Sequence, residues 1–423
     1  MKPTLFLLLT SALVFGQQAD TKQRAKAVHD LGKQGQEAIP KIAPYVSDPD
    51  LSVRIEAVKA LVEVGGPRTL DALVKAAGDN DPEIQIRATD GLVSVYLPGY
   101  AKNGMSGTIQ RAGNSIKGKF TDTNDKVIDA FVQVRPDVIE VLGKLARGGA
   151  SIESRANAAR GVGVLRGQAA IPDLVQALHS KDDTVMYEAL VAIEKIRDPS
   201  AAPRIAFLVR DLDDKIQIAA LETTGILRNK EAAPDVRDAL AHARNIKVRR
   251  AALTTLAMLA DAGDHEAFLR DLNDKDDAIR AAAAEGVARV KNPADHGVVE
   301  KAFNDEKKMN PRLADAFALV SLGSTDTGEF SPLRYLVNTL NQRIYRGVAV
   351  AYLTELCREE SVRRTIYPML TGATKDEKIQ MSIVLARSGD KDSIPFLETL
   401  SVDPDNDVAQ EGIRSLRTLR ARL

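Results

Sequence analysis

A small residue returns along this chain at a nearly fixed interval, and that interval limits what the chain can fold into. Ala57-Val58-Lys59-Ala60-Leu61 aligns with Ala88-Thr89-Asp90-Gly91-Leu92 at an offset of 31 residues, and Asp48-Pro49-Asp50 falls into step with Asp79-Asn80-Asp81. The same anchor continues through Ala27, Ala57, Ala88, Ala158, Ala189, Ala220, Ala252, Ala283, Asp315, Ala349, Ser382 and Gly412, and ten of its eleven offsets lie between 30 and 34. Four residues after each anchor stand Leu31, Leu61, Leu92, Val162, Ile193, Thr224, Leu256, Val287, Leu319, Leu353, Ala386 and Leu416. That is the i, i+4 pair on one helix face, and only Thr224 is polar.

A second helix precedes each anchor helix and has its own mark: Ala38-Ile39-Pro40, Ala170-Ile171-Pro172, Ala202-Pro203, Ala233-Pro234, Ser331-Pro332 and Ser393-Ile394-Pro395. Proline is tolerated in a first helical turn, where its missing N–H would have had no partner. Each unit therefore reads as helix A, a short acidic turn and helix B. Turns such as Asp79-Asn80-Asp81-Pro82, Lys181-Asp182-Asp183 and Asp276-Asp277 put carboxylates where helix B needs an N-cap and a favourable dipole charge.

A hairpin of this size cannot bury both faces by itself, whereas stacked hairpins share one core. The expected fold class is all-α, a right-handed α-α superhelix of about 11–12 helical hairpin units. The period, the A-helix prolines, the acidic turn and the arginines Arg54, Arg155, Arg249, Arg280 and Arg312 together resemble HEAT repeats. The likeness is strongest to the short bacterial kind also found in phycobilin lyases. It implies that these arginines are structural, pairing with aspartates in ladders between adjacent units. Met186, Gln217 and Gln380 stand at the arginine position, where the ladder should be interrupted.

Residues 1–16 read as a cleaved secretory signal peptide: Lys2, an apolar run from Leu5 to Phe15, then Gly16 before the polar Gln17-Gln18-Ala19-Asp20. The run falls short of the ~20 residues that span a bilayer. The mature chain is expected to be exported, periplasmic or extracellular, with no transmembrane helix. Cys357 is the only cysteine, so no intramolecular disulfide can form, and its apolar context predicts a buried, inert thiol. With 58 Lys plus Arg against 58 Asp plus Glu, the chain lacks the global basic field that collects nucleic acid.

One offset breaks the period: Ala88 to Ala158 spans 70 residues. The chain divides into N-terminal repeats over 17–96, an insert or degenerate repeat over 97–135, and repeats with a C-terminal cap over 136–423. From Tyr100 to Phe120 the insert holds Lys102, Arg111, Lys117 and Lys119 without an acidic residue, and its apolar residues fall at helical spacing. Such a segment suits a basic amphipathic helix for recognition or for covering neighbouring repeats. Lys102, Arg111, Lys117, Lys119 and Tyr100 are the candidate partner contacts. A second insert helix is expected over Asp125 to Val134, with Val127, Ile128, Phe131 and Val132 on its apolar face.

Searches for catalytic chemistry give little. The five histidines include no H-E-x-x-H pair. His265-Glu266 is a single His-Glu pair, and one pair cannot supply the two-iron site of deoxyhypusine hydroxylase, an enzyme built from HEAT repeats. Asp403-Pro404-Asp405-Asn406-Asp407 opens like a calcium loop, but Val408 replaces the needed Gly and Arg414 the needed Glu, so helix capping explains it better. No cofactor, metal or catalytic residue is assigned. Arg414, Arg417, Arg420 and Arg422 make a basic final helix suited to a polar cap. The reading is a non-catalytic exported scaffold that binds a protein or peptide along its B-helix surface. The alternatives are a HEAT-type lyase or hydroxylase and a peripheral protein docking its basic insert on a membrane surface.

Overall fold

The computed structural model describes residues 20–100, 126–129 and 131–423. Twelve B helices occur among them: α1 (20–32), α3 (Leu51–Val64), α5 (Pro82–Tyr96), α7 (Ile152–Val164), α9 (Asp183–Ile196), α11 (Asp214–Ile226), α13 (Ile246–Leu259), α15 (Asp277–Val290), α17 (Met309–Ser321), α19 (Arg346–Leu356), α21 (Lys375–Ser388) and α23 (Asn406–Arg422). Between them lie shorter A helices: α2 (Ile39–Ile42), α4 (Leu70–Ala77), α6 (Pro136–Gly148), α8 (Ile171–Ala177), α10 (Ala202–Ile205), α12 (Ala233–His242), α14 (His265–Asp271), α16 (His296–Asp305), α18 (Pro332–Thr339), α20 (Glu360–Ile366) and α22 (Ile394–Leu400). The fold is all-α, and no strand occurs among the described residues. Pro40, Pro172, Pro234, Pro332 and Pro395 all sit in the first turn of an A helix, as the missing N–H requires.

The anchors are the core. Those from Ala57 to Ala283, Ala349 and Ser382 have no exposure, and Asp315 has 3%. Ala27 departs from this: it is exposed, and Val28 is the buried residue of α1. α1 has no A helix before it among the described residues.

Two carboxylates build five of the acidic turns. Asp50, Asp81, Asp213, Asp276 and Asp405 are N-caps whose side chains accept from N–H groups in the first turn of the B helix. Two residues earlier, Asp48, Asp79, Asp211, Asp274 and Asp403 accept the N–H of the capping residue. That upstream carboxylate also receives a cation from the preceding B helix: Arg24 to Asp48 at 3.0 Å, Arg54 to Asp79 at 2.7 Å, Arg249 to Asp274 at 2.8 Å and Lys378 to Asp403 at 2.8 Å. Arg280 makes the same rung to Glu306 at 2.7 Å. Lys378, four residues after the cap Thr374, is the true counterpart of the arginines, so the rung expected to fail at Gln380 is present. Arg155 donates instead to the Ala146 carbonyl of its own hairpin, and Arg312 lies over the rings of Phe303 and Tyr335 at 4.9 and 5.1 Å.

The chain divides into two compact units. The first comprises residues up to Ile128 and Val132–Ile205; the second comprises Asp129–Phe131 and Ala206–Leu423. The helix expected over Asp125 to Val134 is absent from its described residues, which form no regular structure, and in the first unit the Ile128 N–H donates to the Val164 carbonyl at 3.0 Å. Val127, Ile128, Val132 and Val134 are β-branched and disfavour a helix, and Pro136 keeps Arg135 out of helical φ/ψ. In the second unit α23 is tied down by its arginines: Arg420 pairs with Glu398 at 2.7 Å, Arg422 caps the end of α21 at the Gly389 carbonyl, and Arg414 pairs with Asp129 at 2.6 Å. Cys357 is fully buried, and burial pushes its thiol up to about 12. No helix among the described residues is long and apolar enough to cross a membrane.

Candidate functional site

Lys102, Arg111, Lys117 and Lys119, and the leader over 1–16, lie outside the described residues. Tyr100 is described, and it is not a surface contact. The turn Leu97-Pro98-Gly99 folds back, with the Tyr100 N–H on the Leu97 carbonyl at 3.1 Å, and the ring is left 2% exposed. Its hydroxyl has no hydrogen-bond partner among the described residues, and burial, reinforced by the charge of Asp90, moves its ionisation far above the ordinary tyrosine value. Nearby in the same unit, Asn157 of α7 donates to Asp90 of α5 at 2.9 Å, and Arg160 of α7 forms a buried two-pronged pair with Glu188 of α9. These charges hold the B helices of the first unit in register.

The second unit contains a cavity of about 370 Å³ at the C-terminal ends of α11, α13, α15, α17 and α19. Its apolar floor includes Phe317, Val320, Leu356 and Val362; four cations and two carboxylates line it, namely Arg228, Arg289, Lys291, Arg358, Glu355 and Glu359. Arg289 is the organising group. It holds both oxygens of Glu355, at 2.8 and 2.9 Å, and one of Glu285 at 2.9 Å, so α15 is bound to α19 across α17. Tyr352 donates to Glu285 at 2.7 Å and stacks on Phe317 with centroids 4.7 Å apart, and the Arg289 guanidinium lies over that same Phe317. Burial pushes Glu355 up, but the Arg289 hydrogen bond and the charges of Arg289, Arg228 and Arg358 outweigh it and hold this carboxyl below the ordinary glutamate range. Lys291 pairs with Glu359 at 3.0 Å. The lining has three hydroxyls, Ser321, Thr325 and Ser361, and neither histidine nor thiol. Its chemistry is that of charge recognition.

Backbone strain recurs at the ends of B helices in both units, and in the second it falls on residues that line the cavity. Residues just past the B helices adopt left-handed φ: Arg166 (50°) and Arg197 (59°) in the first unit, then Arg228 (52°), Ala260 (55°) and Lys291 (57°) in the second, followed by Gly323 (110°). Glycine is the usual residue at such a helix end, and an L-residue there costs roughly 1–2 kcal/mol. Four of the five side chains carried at that cost are cations beside a helix C-terminus, where the dipole favours positive charge.

The Arg289–Glu285–Glu355–Tyr352 network is not among the residues singled out from the sequence. The sequence carries little signal for it: the second residue after the anchor is charged in Lys59, Asp90, Arg160, Glu222, Glu285 and Arg414 alike, and only the fold shows that Asp90, Arg160 and Glu285 are buried or half-buried in networks. Arg289 and Glu355 hold the same place in their own units, six residues past Ala283 and Ala349, so their pairing requires knowing that α15 and α19 meet. His265, the member of the lone His-Glu pair, directs Nε2 to Asp295 at 2.7 Å. Among the described residues no group of three His, Cys, Asp or Glu side chains is placed to hold a metal ion. In the calcium-like stretch, Asp405 caps α23 and Asp403 binds Lys378.

Residues 9–93 and 139–223 match the family described as HEAT repeats. No curated protein matches the sequence. Among solved structures, the chain is similar to the complex of CpcE and CpcF of phycocyanin lyase from Nostoc sp. PCC7120, at 17% identity and a TM-score of 0.38, over 63% of this chain and 92% of that one. It is similar to an engineered protein at 19% identity and a TM-score of 0.35, over 94% and 99% of the two chains. Importin beta is a third, at 12% identity and a TM-score of 0.39, over 91% of this chain and 58% of that one.

Proposed function

We propose, from the premise that this chain is built of HEAT repeats, that it is a non-catalytic, exported scaffold that binds a protein or peptide partner. The observation that supports binding is the cavity of the second unit, where packing residues are rimmed by guanidinium groups and by carboxylates already engaged in ion pairs, Glu355 with Arg289 and Glu359 with Lys291. Paired charges over apolar side chains suit recognition and orientation of a bound group. Export follows from the leader read in residues 1–16 and places the partner in the envelope or outside the cell. The basic insert, with Lys102, Arg111, Lys117 and Lys119, contributes a second contact on this reading.

The test is a pull-down from the native envelope fraction with the mature chain and with a variant in which those four residues are serine, followed by direct binding of the identified protein in purified form. Saturable binding of one purified partner, weakened in the insert variant at unchanged circular dichroism, is the expected outcome. Binding equal in both removes the insert from the reading. A chain that purifies with a chromophore or a metal ion and captures no protein would overturn the scaffold reading in favour of an enzyme.

A further inference from the structure

The balance of charge around the cavity of the second unit is uneven. Glu355 has both oxygens engaged by Arg289, Glu285 is shared between Arg289 and Tyr352, and Glu359 is paired with Lys291. Arg228 and Arg358 remain: both are exposed, both line the cavity, and among the described residues neither guanidinium has an ion-pair partner. Both are near enough to Glu355 to act on its carboxylate, which cannot turn to meet them without releasing Arg289. Counting Glu285 behind the wall, four cations face three carboxylates, a surplus of one positive charge.

We propose that this cavity binds a peptide through a carboxylate, with Arg228 and Arg358 as the groups that receive it. This deepens the scaffold reading and rests on it. Three observations select the ligand class. A surplus of one charge matches a monoanion better than a phosphate dianion. The floor of Ala260, Ala288, Phe317, Val320, Leu356 and Val362 suits an apolar side chain next to the anion, which inorganic phosphate lacks. Arg228 and Arg358 are exposed where they line the cavity, so a carboxylate arriving from solvent meets both without displacing an existing ion pair. A guanidinium fork then fits the carboxylate in two-pronged geometry. The carboxylate has two sources, a peptide C-terminus or an Asp or Glu side chain.

The chain has no tryptophan, so a Trp-bearing peptide reports its own binding by fluorescence anisotropy against a tyrosine background. The full chain is titrated with N-acetyl-Trp-Gly-Leu-Leu as free acid, with its C-terminal amide, and with N-acetyl-Trp-Leu-Glu-Leu amide. The expected result is binding of one or both carboxylate peptides that weakens with added salt and falls about ten-fold or more in the Arg228→Gln/Arg358→Gln variant. Tight free acid with weak amide assigns the C-terminus; tight glutamyl amide assigns the side chain. Arg228→Gln keeps a non-glycine residue at its left-handed position, so backbone strain is unchanged. Arg197→Gln/Arg204→Gln, two exposed arginines of the first unit, removes the same charge elsewhere and should leave affinity intact. Affinity for both carboxylate peptides no greater than for the uncharged amide, no loss in the Arg228/Arg358 variant, an equal loss in the control variant, or binding of inorganic phosphate with no binding of any peptide would each overturn the proposal. If the envelope partner is captured equally by the Arg228/Arg358 variant, the cavity reading fails while the scaffold reading stands. If no partner is captured by any form, the scaffold reading fails on its own test, and the peptide titration still decides the cavity.

Discussion

Asp315 occupies the anchor position of α17, where Ala283 and Ala349 stand in the neighbouring B helices, and a carboxyl buried there carries a measurable cost. It is 3% exposed, and burial, followed by the charge of Glu306, pushes it from an ordinary 3.8 up to about 7, with Arg280 and Arg312 pulling the other way. Because the folded-state value lies above the unfolded one, the folded chain binds the extra proton between about pH 4 and pH 7. Stability from this group is therefore highest below pH 4, declines as pH rises through that window, and reaches its full deficit above pH 7. Three pH units correspond to roughly 4 kcal/mol at about 1.36 kcal/mol each, an upper figure because relaxation around an ionised carboxylate reduces it. Asp315→Asn removes the charge at nearly constant shape. Urea unfolding of the full chain at pH 8 should show the variant more stable by roughly 2–4 kcal/mol, and at pH 4.5 the difference should shrink to about a quarter of that. Comparing both proteins at the same pH cancels the other titrating groups. The reasoning is refuted if the variant's advantage is the same at both pH values, or if the variant is less stable at pH 8.

Breaking the buried pair in the first unit by Arg160→Met should cost about 3–5 kcal/mol by leaving Glu188 uncompensated, and Arg160→Met/Glu188→Met should recover most of it; urea midpoints of the three variants against the parent check this. Gly286→Ala would set a methyl 2.5 Å from the Phe268 ring and should destabilise by about 1–3 kcal/mol, whereas Gly297→Ala, in α16 with open space around it, should gain about 0.5–1 kcal/mol; thermal unfolding of both separates close packing from helix propensity. Ala260→Gly should relieve the left-handed strain after α13 and raise stability by up to about 1 kcal/mol, read as a shift of the urea midpoint.

The helices were legible because their causes are local. A small anchor with an apolar partner four residues on, a proline in the A-helix turn and an aspartate before helix B each act within a few residues, and Asp81 capping α5 or Pro332 opening α18 follows from sequence distance alone. Even a ladder rung such as Arg54 to Asp79 spans only 25 positions and repeats with the period. The misreadings have local causes too. The apolar residues before Pro136 follow a helical spacing in a segment without regular structure, and a shift of two positions separates Gln380 from Lys378, the residue that makes the rung. Tyr100 was misjudged because the turn ahead of it, not its own neighbours in sequence, decides that it points inward. The Arg289 network was illegible for a different reason: Glu285 and Tyr352 are 67 positions apart, and no property of either residue names the other.

In a repeat array the regular features settle the fold, so whatever distinguishes one unit from another must carry the function. Applied residue by residue, that subtraction removes the caps, the prolines and the Asp–Arg rungs, because every unit that has them uses them to stack. It leaves Asp315 at an alanine position, Arg289 and Glu285 in a network that ties α15 to α19, and Arg228 and Lys291 where a glycine would cost less. The first is a liability that a single proton controls. The others converge on one cavity, and their costs differ in kind: Arg289 is buried and fully paired, so removing it would disturb packing, while Arg228 is exposed, strained and unpaired, so removing its charge should leave the stack intact. A group that contributes little to stability and sits at a strained position beside a cavity is where a change in binding can be measured without a change in fold. Arg228 and Arg358 are therefore the residues at which stability and binding should come apart.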